Sequence, residues 1–411
     1  MKKNIIWLIL VQCSNYVFPL ITLPYLLRVL GAHEYGIYTL MLAYTQYILL
    51  VVDYGFNFTA TRLISKTNGS NSDIRKIFFT TLTAKIFLAF TACGLGSIIF
   101  LLMGVPPVFW KYGGFALLAA LGNALYPLWL YQGIQRMAPI SVSILTGKSI
   151  ITAATFCFVK SEHDVGTAIF INSLTFLLPG IFLTIFAQMD VVRGFYRPTV
   201  SDVIEALKDG FPLFISTIAT SFYTTFNIVL LGAYSTQTSV GSYGAADKVR
   251  VAAQGMFLPF TQAIFPRICV DSDRAGMRKR IIRYGIPFFS MGIAMTAFIY
   301  IFGKYISLIY FGKQNYVAAT YFQKMAPLPM IVCMAIIFGQ WYMIGRGFNK
   351  ALSVIYVCGS LIHLLYVVPA VKFFGVLGVI YSVIATETLL TAAMIIFFIT
   401  QEFKKQGRIN K

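Results

Sequence analysis

Stretches of about 20 mostly apolar residues recur from one end of this 411-residue chain to the other. Each is long enough to cross the hydrocarbon core of a bilayer as a helix, which satisfies its own backbone hydrogen bonds there. We place about twelve, at 5–29, 36–60, 77–103, 113–133, 139–159, 165–188, 211–233, 242–265, 285–310, 321–344, 351–371 and 376–400. Only 11% of the residues are charged, against about a quarter in soluble domains. The sequence therefore predicts an all-α polytopic membrane protein.

Lysine and arginine are distributed unevenly between the two sides that this scheme defines. With both termini on the inner side, 22 of the 33 basic residues fall in inner segments and 6 in outer ones. Such an excess marks the cytoplasmic side of a membrane protein, so both termini are predicted to be cytoplasmic. Topology thereby explains the formal net charge of +19, and binding to nucleic acid is not predicted.

A polar stripe occurs twice, about 208 residues apart. Counted from Gly36 and from Gly244, polar residues follow at offsets of 3, 10 and 17. They are Thr39, Gln46 and Asp53 in the first stripe and Asp247, Gln254 and Thr261 in the second. Offsets of seven keep residues on one helix face. The repeat predicts two pseudo-symmetric six-helix lobes, residues 1–200 and 201–411, that turn polar faces to a central cavity, as transporters do.

Basic side chains inside apolar spans are candidates for this cavity, because a charge at a helix centre costs about 2.5 to 3.5 kcal/mol. We nominate Lys148, Lys85, Arg28 and Arg250, together with Gln46 and Gln254 of the stripes. Each basic residue has a structural alternative. Lys148 could form a buried ion pair, and Lys85 could extend to the inner headgroups. Arg28 could be an interfacial anchor, and Arg250 could pair with Asp247 one turn away.

Acidic residues and one histidine inside spans are candidates for ion coupling or for ion pairs. They are Asp53, Asp247, Glu387 and His363. A pair between His363 and Glu387 could bind or relay a proton. The alternative is a buried hydrogen bond between neighbouring helices. We favour this alternative because nothing in the sequence brings the two residues together.

Motifs for catalysis and cofactor binding are absent from the sequence. It has no GxxxxGK[ST] phosphate loop, no HExxH or clustered metal ligands, and no nucleophile elbow. We therefore predict that the protein is not an enzyme and holds no cofactor or metal. The predicted outer loops are short, which argues against a membrane glycosyltransferase or polymerase, since those usually need a substantial loop for the acceptor.

Several segments resemble the polysaccharide-transporter family, specifically the O-unit flippases of the Wzx type, in the superfamily that also holds multidrug-and-toxin exporters and lipid II flippases. They are LGAHEYGIYTL (30–40), DYGF (53–56) followed by Thr61-Arg62, and VGSYGAADKV (240–249) running on to FPRI (265–268). The resemblance implies a bacterial inner-membrane protein with a cavity that opens alternately to each side. It implies a cargo of short oligosaccharide on undecaprenyl pyrophosphate, and polymerase and chain-length proteins of the same pathway as possible partners.

Two other kinds of transport remain open on the sequence alone. One is ion-coupled export of drugs, which predicts a cavity dominated by carboxylates. The other is flipping of a different polysaccharide precursor, such as one for capsule, exopolysaccharide or lipid II. The basic residues Lys148, Lys85 and Arg28 favour an anionic cargo and hence the lipid-linked oligosaccharide.

Overall fold

The computed structural model describes residues 2–67, 70–102, 108–269 and 274–409, and within these ranges it is helical, without a strand. The chain divides into two compact units, Met1–Ile218 and Ala219–Lys411. A helix, Val200–Ser221, begins at the predicted lobe boundary, and its residues up to Ile218 belong to the first unit.

The first unit contains nine helices of the described part of the chain, numbered here α1 to α9. Their bounds are α1 Lys2–Asp53, α2 Phe56–Lys66, α3 Asn71–Leu102, α4 Val108–Tyr112, α5 Gly114–Ala124, α6 Leu128–Gly133, α7 Met137–Phe158, α8 Val165–Ala187 and α9 Val200–Ser221. A 3-10 turn at Glu162–Asp164 precedes α8 and a π-helical turn at Gln188–Val192 follows it. Its core packs around Trp129, which lies against Phe78.

The second unit contains seven further helices of the described residues. They are α10 Phe226–Tyr234, α11 Gln237–Gly255, α12 Phe257–Cys269, α13 Arg274–Phe311, α14 Tyr316–Lys324, α15 Leu328–Ala335 and α16 Asn349–Ile409. A 3-10 turn, Lys313–Asn315, joins α13 to α14, and a π-helical segment, Ile336–Ile344, continues α15. The core of this unit packs around Trp341, which contacts Phe288.

The predicted spans are recovered as apolar helices. Eight described segments are long and apolar enough to cross a membrane, and the bent pair α9–α10 makes a ninth. Two of the eight, Ser14–Lys66 and Asn349–Gln401, have 53 residues each. At about 1.5 Å per residue each would be more than twice as long as a bilayer core is thick, so each contains two spans. The pair α11–α12, whose polar stripe lowers its hydropathy, takes the place of the remaining predicted span.

Glycine marks the turn within each 53-residue segment. Gly31 has φ 71° and Gly375 has φ 57°, where a residue with a side chain is strained. Both positions lie between adjacent predicted spans, so the chain reverses there without a loop. Other spans are broken inside, as at Pro127 between α5 and α6 and at Pro327 before α15, because proline lacks the amide hydrogen that continues a helix.

Helices α5 and α8 approach so closely that their backbones touch. A Cβ at Gly122 would lie 2.4 Å from the backbone nitrogen of Leu177, and a Cβ at Gly180 would lie 2.5 Å from the carbonyl oxygen of Gly122. Small residues permit such contacts between membrane helices.

We expect Gly122→Val to destabilise the first unit by about 2 kcal/mol, because it would push α5 and α8 apart. The measurement is the melting temperature of the purified protein in detergent. Gly114→Val is the matched control, since a Cβ at Gly114, at the start of the same helix, meets nothing within 4 Å. Equal melting of the two variants would contradict the tight contact.

Candidate functional site

A cavity of about 610 Å³ with both apolar and polar residues in its lining lies within the second unit. It is formed by α10 and the turn before it, by α11, by α15 and the π-helical segment, and by α16. Its polar lining consists of three charged residues (Asp247, Arg250, Glu387), three tyrosines (Tyr223, Tyr243, Tyr356), three amides (Asn227, Gln254, Gln340) and two threonines (Thr224, Thr225). The volume lies in the range of small-molecule sites.

Arg250 is held on the α11 wall by two residues of its own helix. Its Nε and Nη2 donate to Oδ1 of Asp247 at 2.8 and 2.7 Å, and its Nη1 donates to Oε1 of Gln254 at 2.7 Å. Spacings of three and four place the three residues on one helix face. Thr236 caps the start of this helix by accepting from the amide of Ser239. The predicted alternative of an ion pair within the helix is therefore what the structure contains, and two residues of the second stripe, Asp247 and Gln254, line the cavity.

Glu387 of α16 lines the same cavity and attracts Arg250 electrostatically. The pairing of Glu387 with His363, which the sequence left open, is not formed. Both ring nitrogens of His363 are engaged elsewhere, with Oγ1 of Thr386 at 2.6 Å and Oδ1 of Asn227 at 3.0 Å. His363 is fully buried. It acts as a hydrogen-bonded bridge between helices, which is the interpretation that the sequence favoured.

The orientation of the Asn227 amide fixes the hydrogen on His363. Its Nδ2 donates to the carbonyl oxygen of Tyr223 at 3.0 Å, which turns Oδ1 toward the imidazole. Because an amide oxygen only accepts, Nε2 of His363 donates to Asn227, while Nδ1 contacts the Oγ1 of Thr386. The network thereby ties the turn before α10 to α16, and it holds Tyr223 at the cavity wall.

Two tyrosines of this cavity were not predicted as site residues. The rings of Tyr223 and Tyr356 lie parallel, with an interplanar angle of 1° and centroids 6.4 Å apart. Nothing in the sequence separates them from the other aromatic residues, because tyrosines at helical spacing are mostly packing residues. Asn227 could have been nominated from the sequence, because an amide side chain within an apolar span requires a hydrogen-bonding partner.

In the first unit, Lys85 and Asp53 form an ion pair in which only the lysine is fully buried. The ammonium of Lys85 lies 3.2 Å from Oδ1 of Asp53 and donates to the carbonyl oxygen of Asn123 at 2.8 Å. The Lys85 side chain is 1% exposed and that of Asp53 is 37% exposed. Lys85 does not extend to headgroups, so that alternative is wrong. Asp53 is the last residue of α1. The helix is interrupted at Tyr54 and Gly55, so a side chain from α3 can reach the Asp53 carboxylate.

The other nominated residues of the first unit lie apart from this pair. Lys148 of α7 is half-buried, and its ammonium donates to Oδ1 of Asn15 at 2.5 Å. An amide is an uncharged partner, so this contact orients the ammonium without neutralising it. Arg28 and Gln46, both on α1, are exposed.

The described residues offer no cluster of three or more His, Cys, Asp or Glu side chains that could hold a metal ion.

Solved structures identify the class of fold. An inward-facing multidrug resistance MATE family transporter of the MOP superfamily superposes with a TM-score of 0.72 at 13% identity, covering 95% of each chain. The lipid II flippase MurJ in its inward closed conformation also gives 0.72, at 12% identity, covering 97% of this chain and 87% of that one. The fold is that of the MOP-superfamily transporters.

Relatives with similar sequences identify the family to which the chain belongs within this class of fold. A putative O-antigen transporter of Shigella dysenteriae is 32% identical over 396 residues, 96% of this chain and 99% of the relative. A putative O-antigen transporter of Escherichia coli (strain K12) is 32% identical over 406 residues, 97% and 96% of the two chains. Residues 1–269 match the family model described as polysaccharide biosynthesis protein. The chain belongs to this polysaccharide biosynthesis family, and the predicted resemblance is confirmed.

Proposed function

We propose that this protein is an O-antigen flippase, which moves oligosaccharide units linked to undecaprenyl pyrophosphate from the cytoplasmic to the periplasmic leaflet of the bacterial inner membrane. The observation that carries the proposal is the 32% identity to two putative O-antigen transporters over nearly the whole length of each. The cavity of about 610 Å³ inside an apolar helical unit carries eleven polar or charged side chains in its lining, which could contact a hydrophilic headgroup.

The proposed mechanism is alternating access, in which the polar lining becomes open first to one side of the membrane and then to the other. The carrier pyrophosphate brings two negative charges, whose outward movement gains about 4.6 kcal/mol at 100 mV if no cation travels with it. The protein must still replace water around those charges in the low-dielectric centre. Lys148 is the residue we propose for this role, because its contact with Asn15 leaves its charge uncompensated.

Ion-coupled export of drugs is the second candidate, and two observations favour it. The solved neighbours include a multidrug exporter, and two of the three charged residues of the cavity are carboxylates. The higher sequence identity to putative O-antigen transporters ranks this candidate below the first. In the proposed pathway, polymerase and chain-length proteins act after this protein, and no enzymatic step is assigned to it.

Complementation tests the proposal. The chain is expressed in a strain that lacks its own flippase, and surface polysaccharide is measured by immunoblot. We expect restored export, together with unchanged susceptibility to dyes and antibiotics in a strain that lacks its drug exporters. Drug resistance without export would overturn the proposal in favour of the second candidate.

The proposed orientation gives a separate prediction, based on the excess of 22 inner over 6 outer basic residues. A reporter fused after Thr67 should be cytoplasmic, and one fused after Ser235 should be periplasmic. Paired alkaline phosphatase and fluorescent protein fusions measure this. A cytoplasmic signal at Ser235 would contradict the scheme of six spans in each lobe.

A further inference from the structure

The cavity of the second unit does not have the charge of a phosphate site. Of the described residues that line it, three are charged, namely Asp247, Arg250 and Glu387. Their formal sum is −1 if Glu387 is ionised and zero if it is protonated, so in neither state is the cavity positive. Arg250 is also already engaged, with three of its hydrogen bonds directed at Asp247 and Gln254.

A pyrophosphate in this cavity would meet like charge. Its oxygens only accept hydrogen bonds, and the Asp247 carboxylate, like that of Glu387 when it is ionised, offers no donor. To reach it, the Arg250 fork would have to leave Asp247, which lies 2.7 Å from Nη2. Juxtaposed like charges select against a ligand strongly. Arg250 is therefore better explained as part of a neutral polar wall than as the cationic site that the sequence predicted.

The remaining lining has the chemistry that recognises an uncharged sugar. The parallel rings of Tyr223 and Tyr356 present flat apolar surface with hydroxyl groups at the edge. Gln254 and Gln340 add amides, and the carboxylates add acceptors for hydroxyl donors. A site built to hydrogen-bond hydroxyl groups rejects ligands that lack them. The network of His363 and Asn227 fixes the Tyr223 turn, so this surface is preformed.

We propose that the cavity of the second unit is the recognition site for an uncharged sugar residue of the cargo, rich in hydroxyl and N-acetyl groups, and that the pyrophosphate is held by residues elsewhere. The inference rests on the proposed function for its cargo and on the charges and rings of the cavity for its chemistry. It assigns sugar selectivity to Glu387 and Tyr356, both on α16.

A binding experiment with the purified full-length protein tests the tyrosine. The probes are undecaprenyl pyrophosphate, bare or carrying one N-acetylhexosamine, titrated in detergent. We expect the sugar-bearing probe to bind more tightly, and Tyr356→Ala to weaken its binding about tenfold while binding of the bare probe is unchanged. Tyr356→Phe should keep the ring and most of the affinity. Tyr381→Ala, on the same helix and 53% exposed, is the control.

Selectivity in cells tests the carboxylate. Two flippase-null strains are used, one building an uncharged O unit and one whose unit carries a uronic acid. We expect Glu387→Gln to raise the ratio of acidic to uncharged export about fivefold, because it removes a like charge. The exposed Glu205→Gln should leave the ratio unchanged.

Two results would overturn the inference. One is loss of bare-probe binding in Tyr356→Ala at wild-type melting temperature, which would place the pyrophosphate in this cavity. The other is equal loss of both cargoes in Glu387→Gln together with altered dependence on sodium or pH, which would make the cavity a coupling-ion site. If the wild type exports neither cargo but binds the sugar-bearing probe more tightly, the proposed function fails and the inference stands.

Discussion

Replacing Lys148 with alanine should reduce export of surface polysaccharide by about 100-fold while the protein still accumulates in the membrane. The reason is electrostatic. Lys148 is half-buried and its ammonium contacts only the amide of Asn15 among the contacts described here, so its charge is available to an anionic cargo. Removing one partner of a desolvated charge pair costs about 2 to 5 kcal/mol. Lys148→Arg should retain part of the export because it keeps the charge.

The measurement is complementation of a flippase-null strain at matched protein level. Lys160→Ala is the control, since Lys160 lies just beyond the same helix and is exposed. Full export by Lys148→Ala would remove this residue from the mechanism. Asn15→Ala should have a smaller effect than Lys148→Ala, because it removes the orienting contact and keeps the charge.

Asp53→Asn should destabilise the protein by about 3 kcal/mol, and Lys85→Met should cost much less. The asymmetry follows from burial. Without the Asp53 carboxylate, Lys85 keeps a buried charge with only uncharged oxygens, such as the carbonyl oxygen of Asn123, as partners among the contacts described. Without Lys85, the Asp53 carboxylate is still 37% exposed and can recover water.

The melting temperatures of the purified variants in detergent show which of the two substitutions destabilises the protein more. The double variant Asp53→Asn, Lys85→Met should recover much of the loss, because it removes the stranded charge. Asp209→Asn is the matched control, since its ion pair with Arg62 has a distance of 3.8 Å and both side chains are about half exposed. Exposed pairs contribute about 0 to 1 kcal/mol. A larger loss in Lys85→Met than in Asp53→Asn would contradict the prediction.

The sequence predicts those features of this protein that depend on local pattern. The length of the apolar stretches predicts the membrane spans, and Gly31 and Gly375 lie where paired spans reverse direction. The contact of Asp247 with Arg250 follows from helix periodicity, because residues one turn apart on a helix face each other. Overall family membership follows from short motifs around the two stripes.

Features that depend on which helices become neighbours could not be predicted. Lys85 meets a carboxylate 32 positions away, and His363 meets an amide 136 positions away. A single sequence does not show which residues distant along the chain become neighbours in the fold. The stacking of Tyr223 on Tyr356 could not be predicted from the sequence for the same reason. The two stripes also differ in their ion pairs. Asp53 pairs with Lys85 of another helix, whereas Asp247 pairs with Arg250 of its own helix.

The π-helical segment Ile336–Ile344 has a consequence for how this family can change in length. Its nine residues form wider turns than an α-helix does, with hydrogen bonds that reach one residue further. A helix can therefore absorb a one-residue insertion here while the spans on either side keep their register. Gln340, which lines the cavity, lies inside this segment. Homologues that have lost one residue here would return to α-helical geometry and rotate a different side chain into the cavity, so a deletion would change the cavity lining without replacing any residue.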